Sequence, residues 1–540
     1  MKAKRLLVFA LIPLILSSCG KTDPYAGDEG QKIKLKKDTH TNYVYDEEST
    51  NENGSMSYEI FVRSFYDSDG DGIGDLNGIK EKLPYLEDLG IKTIWLMPIH
   101  PSPSYHGYDV KDYYGIHPDY GTIQDFDALI SEANNCHIDI MLDMVFNHSS
   151  RSHPDFRQSY NDYLNNNTEE GSKKDWYNWS TSPIGSKYGD LYYECGFGSD
   201  MPDFNLDSTT LRAEIDNICK FWIKDHGVKG FRLDAVYHYY AADTAKNVAF
   251  MNWLDTTVKK YNPNFYMVGE AWIGDGVLNG YSASTMESFF RFDNAIGGQK
   301  SMINAAKGFN VVNILNSMIK NESITKQNNP NGYSSYFLSN HDQDRISKSL
   351  NEVQNKVAAS ILGLLPGTPF MYYGEEIQLV GERTTGVYDD GTDVKRRLPL
   401  IWSKKDKTGE CVFPQPEKKE LDNTEQVELG VNDRLKQNYS LLNHYKKVIN
   451  VRNKYPFLKN GLMTSMQSAL NTDLNSVIAY KITAKDSNDY IVVVHNSSEY
   501  NVEVDAPGTE ILDEINTSQR VPELKDGKLR LGRYSTVVLH

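Results

Sequence analysis

Cysteine is scarce in this chain, with five in 540 residues. One of them, Cys19, ends an N-terminal apolar stretch. The others, Cys136, Cys195, Cys219 and Cys411, are scattered without paired spacing. That pattern argues against a disulfide framework or a zinc site and leaves one bridge, of unassigned partners, open. Positive charge is in deficit too: 57 Lys and Arg face 73 acidic residues, a net charge of −16. Such a surface repels phosphate backbones, so nucleic acid is not an expected partner, whereas a neutral polysaccharide is acceptable. After Leu16 no long apolar run follows. The sequence therefore offers no spanning helix, which counts against a membrane transporter subunit. No internal repeat and no low-complexity run appears.

What is present starts with Lys2, Lys4 and Arg5, the apolar run Leu6–Leu16 and then Leu16-Ser-Ser-Cys19. A charged start, a short apolar core and small residues make a secretion signal. The spacing resembles a bacterial lipobox, in which Cys19 becomes the lipidated first residue. Residues 1–19 are read as this signal, and the polar residues 20–55 as a flexible tether. The expected location is outside the cytoplasm, lipid-anchored to a bacterial membrane at the cell surface or in a periplasm.

From Tyr58 onward, strand-like runs alternate with helical stretches, the pattern of repeated βα units. Tyr58–Val62, Thr93–Met97, Ile138–Val145, Gly230–Asp234, Phe265–Val268, Ser335–Leu338 and Phe370–Tyr373 are seven candidate strands. The eighth is harder to place, and Ser288–Arg291 is the candidate. The fold class expected is α/β: a (β/α)₈ TIM barrel over residues 56–458. The polar, aromatic stretch 149–206 interrupts the alternation after the third strand and predicts an inserted irregular subdomain. Short alternating strands after residue 459 predict an all-β sandwich domain over 459–540.

In such a barrel, active residues sit at the C-terminal ends of strands. Four acidic segments lie there: Asp143–His148, Gly230–His238, Val268–Trp272 and Phe337–Asp342. Cleaving a glycosidic bond with retention needs two carboxyl groups about 5 Å apart. Asp234 suits the nucleophile, because Arg232, two residues earlier on one strand, faces the same side and would keep it ionised. Glu270 suits the acid; desolvation near Trp272 would raise its pKa. Asp342 is a third carboxylate, able to hold sugar hydroxyls. His148 and His341 could donate to hydroxyls. Singly, each such residue is as well explained by capping or packing.

Together, these segments resemble the signature regions of the α-amylase family of glycoside hydrolases, over about Tyr58 to Trp402. The resemblance implies Asp234 as nucleophile, Glu270 as general acid/base and Asp342 as transition-state stabiliser, with Arg232, His148 and His341 lining the same sugar subsite. Tyr105-His106-Gly107-Tyr108 matches a fifth stretch, in which Tyr108 would stack on the sugar and His106 would bind a hydroxyl. Met201-Pro-Asp-Phe-Asn205 matches the motif of the family's inserted subdomain, in a form intermediate between plain amylases and neopullulanases.

Asp67-Ser-Asp69-Gly-Asp71-Gly-Ile73-Gly-Asp75 follows an EF-hand loop at its early positions, with Ile73 offering a carbonyl; Gly78 in place of the final glutamate excludes a true EF-hand. Hard oxygen donors favour Ca²⁺, and several family members carry such a loop after the first strand. For a second Ca²⁺, the resemblance implies Asn147, Asp203 and the His238 carbonyl, residues that related glucosidases keep without the ion.

Within the family, Ala235 and His238 lean toward α-1,4 bonds, since oligo-1,6-glucosidases commonly carry valine after the nucleophile. The expectation is a secreted, endo-acting α-amylase on starch and malto-oligosaccharides, a monomer meeting the membrane only through its anchor. The alternatives are a neopullulanase or cyclomaltodextrinase, an oligo-1,6-glucosidase, and a non-catalytic glycan-binding lipoprotein. The last predicts loss of a catalytic acid, and none is lost. Trp176, Tyr177 and Trp179 offer a sugar-stacking platform, with packing the better expectation for at least two.

Overall fold

The computed structural model describes residues 54–540 apart from 242, 299, 384–392, 413–425 and 518–520. Cys19, the signal and the tether up to residue 53 lie outside the described residues. Eight parallel strands close into a barrel. In chain order they are β1 (Ser57–Ile60), β2 (Thr93–Leu96), β3 (Asp139–Met144), then β7 (Gly230–Leu233), β8 (Tyr266–Gly269), β9 (Ser288–Phe290), β10 (Tyr333–Phe337) and β11 (Thr368–Tyr372). β11 returns to pair with β1. The eighth strand falls where the sequence placed it, at Ser288. Nearly every strand residue is buried. A parallel barrel demands this, because helices cover one face and side chains fill the other. Trp95, Met141, Tyr266, Val268, Phe290, Phe337 and Phe370 form an aromatic-rich cluster contributed by six of the barrel strands. The first helix, Leu76–Leu89, starts at Leu76 because the Asp75 side chain caps it, accepting from Gly78 N.

The insertion between β3 and β7 is more regular than its composition suggests. It holds a helix, Pro154–Leu164, begun by a His153 cap and a first-turn proline. A small sheet follows, of β4 (Trp179–Ser180), β5 (Ser186–Tyr188) and β6 (Leu191–Tyr193). Phe156 is the hub: the rings of Tyr177, Trp179, Tyr188 and Tyr193 lie 5.0–5.2 Å from it. Trp176, Tyr177 and Trp179 are all buried, so they form no exposed sugar platform. Phe156→Ala is expected to cost about 3–5 kcal/mol and to release this subdomain first, read as a lowered melting temperature with early proteolysis inside residues 149–206.

Beyond the barrel, β12 (Leu462–Ser465), β13 (Val477–Thr483), β14 (Tyr490–Asn496), β16 (Ile511–Ile515) and β19 (Ser535–Leu539) form a five-stranded antiparallel sheet. β15 (Val502–Asp505), β17 (Glu523–Lys525) and β18 (Lys528–Leu531) form a three-stranded one. Val477, Val492 and Val537 of the first pack with Val504, Leu529 and Leu531 of the second in one core, which makes a sandwich. Cys136, Cys195, Cys219 and Cys411 are all free thiols, so the open bridge is absent among them.

Candidate active site

Arg232 organises the C-terminal mouth of the barrel. It lies on β7 beside Asp143 of β3, its register partner. The side chain is 1% exposed. Its Nη1 donates to Asp143 Oδ1 and to Asp234 Oδ1, both at 2.7 Å. Its Nη2 lies 3.1 Å from Glu270 Oε2. One planar guanidinium thus faces three carboxylates from β3 and from the ends of β7 and β8. The chain turns sharply after Asp234: Ala235 adopts a left-handed conformation, φ 51°. That turn aims Ala235 N at Glu270 Oε2, 2.9 Å away.

Burial raises the pKa of all three acids, and Arg232 offsets it only in part. Asp143 rises to about 7. The sequence expected Arg232 to keep Asp234 simply ionised; desolvation in fact outweighs the guanidinium there. Trp272 does not wall off Glu270 as its place in the sequence suggests. It is 53% exposed and stacks on Phe292, so the desolvation of Glu270 comes from the barrel mouth itself.

Across the mouth stands Asp342. Its Oδ2 lies 3.0 Å from His341 Nε2, and its Oδ1 accepts from Arg397 Nη2 at 2.8 Å. Burial opposes its ionisation, but His341 and Arg397 prevail and hold its pKa far below the usual carboxylate range. His341 Nδ1 meets Glu59 Oε1 at 2.5 Å. Burial alone would depress the His341 pKa; Asp342 and Glu59 reverse this and carry it to about 10. His341 is therefore an imidazolium at neutral pH. Because this pKa is raised above the ordinary value of about 6.5, the stability it contributes is full below pH ~6.5 and fades as pH rises toward 10. Glu59→Gln removes one of the two anions. The fade should then end at lower pH and be smaller, which melts recorded from pH 6 to 10 would register; superimposable profiles would refute the pairing.

The other expected residues gather here as well. Tyr108 OH bonds Asp143 Oδ2 at 3.0 Å and His341 Nε2 at 2.6 Å. One face of its ring lies parallel to His341, with centroids 5.6 Å apart. His106 Nδ1 accepts from Tyr108 N, and the two rings stack. His148 is buried, and burial lowers its pKa to about 4. It is therefore neutral, and its Nε2 makes no hydrogen bond; the Tyr108 carbonyl favours its charged form without reaching bonding geometry. Glu59, Trp95 and Arg397 were missed in the sequence. Trp95 Nε1 donates to Asp143 Oδ2 at 3.3 Å, and Arg232 sits over its ring.

In the acidic loop, one oxygen each from Asp67, Asp69 and Asp71 comes within 4.8 Å of the others. This hard, anionic donor set suits a calcium ion. Asp75 lies outside this trio; its carboxylate accepts from Ser68 N and Oγ and from Gly78 N at the helix start, as the Asp67 carboxylate accepts from Asp69, Gly70 and Gly72 N. Of the second set, Asn147 and Asp203 meet through Asn147 Nδ2 and Asp203 Oδ1 at 3.2 Å. The His238 carbonyl accepts Ala241 N, and its ring packs on Phe197.

A closed eight-stranded barrel with buried acids around one arginine at its C-terminal mouth is a TIM barrel with its ionisable cluster where such barrels carry their active sites. The profile described as "Alpha amylase, catalytic domain" matches residues 59–461. "Alpha-amylase 3" of Dictyoglomus thermophilum is 35% identical, over 90% of this chain and 93% of its own. The solved structure of "Eubacterium rectale Amy13B" superposes with a TM-score of 0.81 at 35% identity, covering 90% of this chain and 95% of that one. An "Oligo-1,6-glucosidase" of Bacillus cereus is 28% identical, over 74% of this chain and 83% of its own. The chain belongs to the α-amylase family of glycoside hydrolases.

Proposed function

We propose that this enzyme is a retaining, endo-acting α-1,4-glucan hydrolase that degrades starch and malto-oligosaccharides outside the cytoplasm. The observation that carries the reading is the Arg232 cluster. Two carboxylates gripped by one guanidinium are close neighbours, and retention needs that closeness, about 5–5.5 Å between the groups. Asp234, paired with Arg232, attacks the anomeric carbon and forms the glycosyl-enzyme. Glu270, whose burial raises its pKa, protonates the leaving oxygen and then takes the proton of the incoming water. Asp342, held anionic by His341 and Arg397, binds hydroxyls of the sugar and favours its cationic, distorted ring. His148 donates a hydrogen bond through its unspent Nε2, and His106 binds a further hydroxyl. Tyr108 orients Asp143 and His341.

Asp67, Asp69 and Asp71, with the Ile73 carbonyl, would hold a calcium ion that neutralises their mutual repulsion and stiffens the loop after β1. Asn147, Asp203 and the His238 carbonyl are a weaker candidate for a second. Leu16–Cys19 supports secretion and lipidation at Cys19, with a monomer tethered off the membrane. The alternative is α-1,6 or cyclic-dextrin cleavage. The intermediate Met201–Asn205 motif and the oligo-1,6-glucosidase relative favour it; Ala235 favours α-1,4.

Product analysis separates the readings. Residues 20–540 would be incubated with soluble starch, pullulan, a cyclodextrin and isomaltose, with Asp234→Asn as control. Rapid release of mixed malto-oligosaccharides from starch, absent in the control, is the expected result. Intact starch with cleaved isomaltose or pullulan would move the enzyme to the other branch.

A further inference from the structure

Behind the segment that carries His148 lies a cavity of about 260 Å³ that this reaction does not use. The rings of Tyr113, Phe146, Trp176 and Phe204 line its buried part, together with Ile215. Its polar groups are Asp112, Asp155, Glu214, His153 and Lys111. The three carboxylates dominate the hydrogen-bonding capacity. The carboxylates only accept. Glu214 Oε1 receives Tyr114 OH at 2.8 Å and keeps further lone pairs. His153 Nδ1 accepts Asp155 N at 3.1 Å. Its proton, in the neutral form that burial favours, therefore sits on Nε2 as a donor.

A ligand that fits must bring several donors, an acceptor for that imidazole and a flat apolar face. Lys111 lines the same cavity, and Lys173 lies 3.6 Å from Asp155. These two cations offset two of the three acids, so the cavity does not require a cationic guest. A pyranose ring combines a C–H face with a rim of hydroxyls, and the volume lies just under the usual small-ligand range of about 300–1,000 Å³. We propose that this cavity is a second saccharide site, taking one or two glucosyl units of an α-glucan. The proposal rests on the α-glucan reading of the active site.

The site is also wired to the first. Tyr113 OH lies 2.8 and 2.7 Å from the carbonyls of Val145 and His148, which share its one proton. A sugar in the cavity bears on Tyr113, and through it on the backbone that carries His148.

Calorimetric titration of the full secreted chain with maltotriose tests this, with Asp234→Asn present to prevent turnover. Two classes of site are expected. Glu214→Ala, which removes an acceptor, and Ile215→Trp, which fills the cavity, should each weaken one class by tenfold or more and leave the other. Glu214 is partly exposed, so that variant should fold even where Ile215→Trp does not; circular dichroism checks both. A single class of site, or two classes untouched by Glu214→Ala, would overturn the proposal. So would a tetraalkylammonium ion that displaces the weakened class, because it would assign the cavity to cations. Starch hydrolysis by the unmutated chain is scored separately. Starch cut with only one maltotriose site sinks the cavity alone. Starch uncut, with a Glu214-dependent site present, sinks the active-site reading alone.

Discussion

Arg232→Lys is expected to lower kcat/KM on starch by about 10³-fold or more, despite keeping the charge. The reason is geometric. Arg232 serves Asp143 and Asp234 through Nη1 and Glu270 through Nη2, at 2.7, 2.7 and 3.1 Å. A lysine ammonium is a single point on a flexible stem and cannot reproduce that planar fork. At least one buried carboxylate is then left without its partner. Breaking one side of a buried ion pair costs about 3–5 kcal/mol, so the denaturation midpoint should fall as well. The pH dependence carries the finer test. Arg232 is what opposes the desolvation of Asp143 and Asp234. Without its fork both acids gain protons more readily, and a protonated Asp234 cannot attack. The acid limb of the residual activity should therefore move to higher pH. A variant that kept activity within tenfold and an unmoved acid limb would show that the cluster is structural only.

Much of this site was legible because its residues are local. Asp143, Arg232, Asp234, Glu270 and His341–Asp342 each end an apolar strand, and a barrel gathers strand ends at one mouth. What escaped depends on packing between distant segments. Glu59 is one charged residue inside the apolar run Tyr58–Val62; nothing nearby in the sequence shows that His341, 282 positions later, will bind it. Arg397 belongs to Lys395-Arg-Arg397, a basic run that reads as a solvated face, yet it is buried and reaches Asp342. Trp272 misled in the opposite direction. Adjacency to Glu270 suggested a desolvating wall, but the strand has ended there and the indole turns out to stack on Phe292. In the insertion, a dense aromatic composition was compatible with either a sugar platform or a core. Phe156, at the centre of four rings, decided for the core. Asp75 shows the same ambiguity within a motif: its spacing fits a metal loop, and its geometry spends both oxygens on hydrogen bonds with the loop backbone, Ser68 and the helix start.

Glu270→Gln should be the most diagnostic substitution, because it removes a proton donor while disturbing little else. The glutamine oxygen can still accept from Ala235 N, which now meets Glu270 Oε2 at 2.9 Å. Loss of general acid/base catalysis costs about 10²–10⁴-fold. That full loss is expected on starch, whose leaving oxygen needs the proton. On an aryl maltoside with an acidic phenol, the first step should be nearly spared, and slow water attack on the glycosyl-enzyme should then limit turnover. Azide needs no base, so it should restore the rate and release the α-glycosyl azide. The same salt acting on Asp234→Ala should give the β-anomer, since there azide replaces the nucleophile itself. Glu270 acts while protonated, so the alkaline limb of kcat/KM in the unmutated enzyme reports its deprotonation and should vanish in the variant. No azide product from Glu270→Gln, together with equal losses on both substrates, would remove Glu270 from the acid/base role and leave it as a partner that merely steadies Arg232.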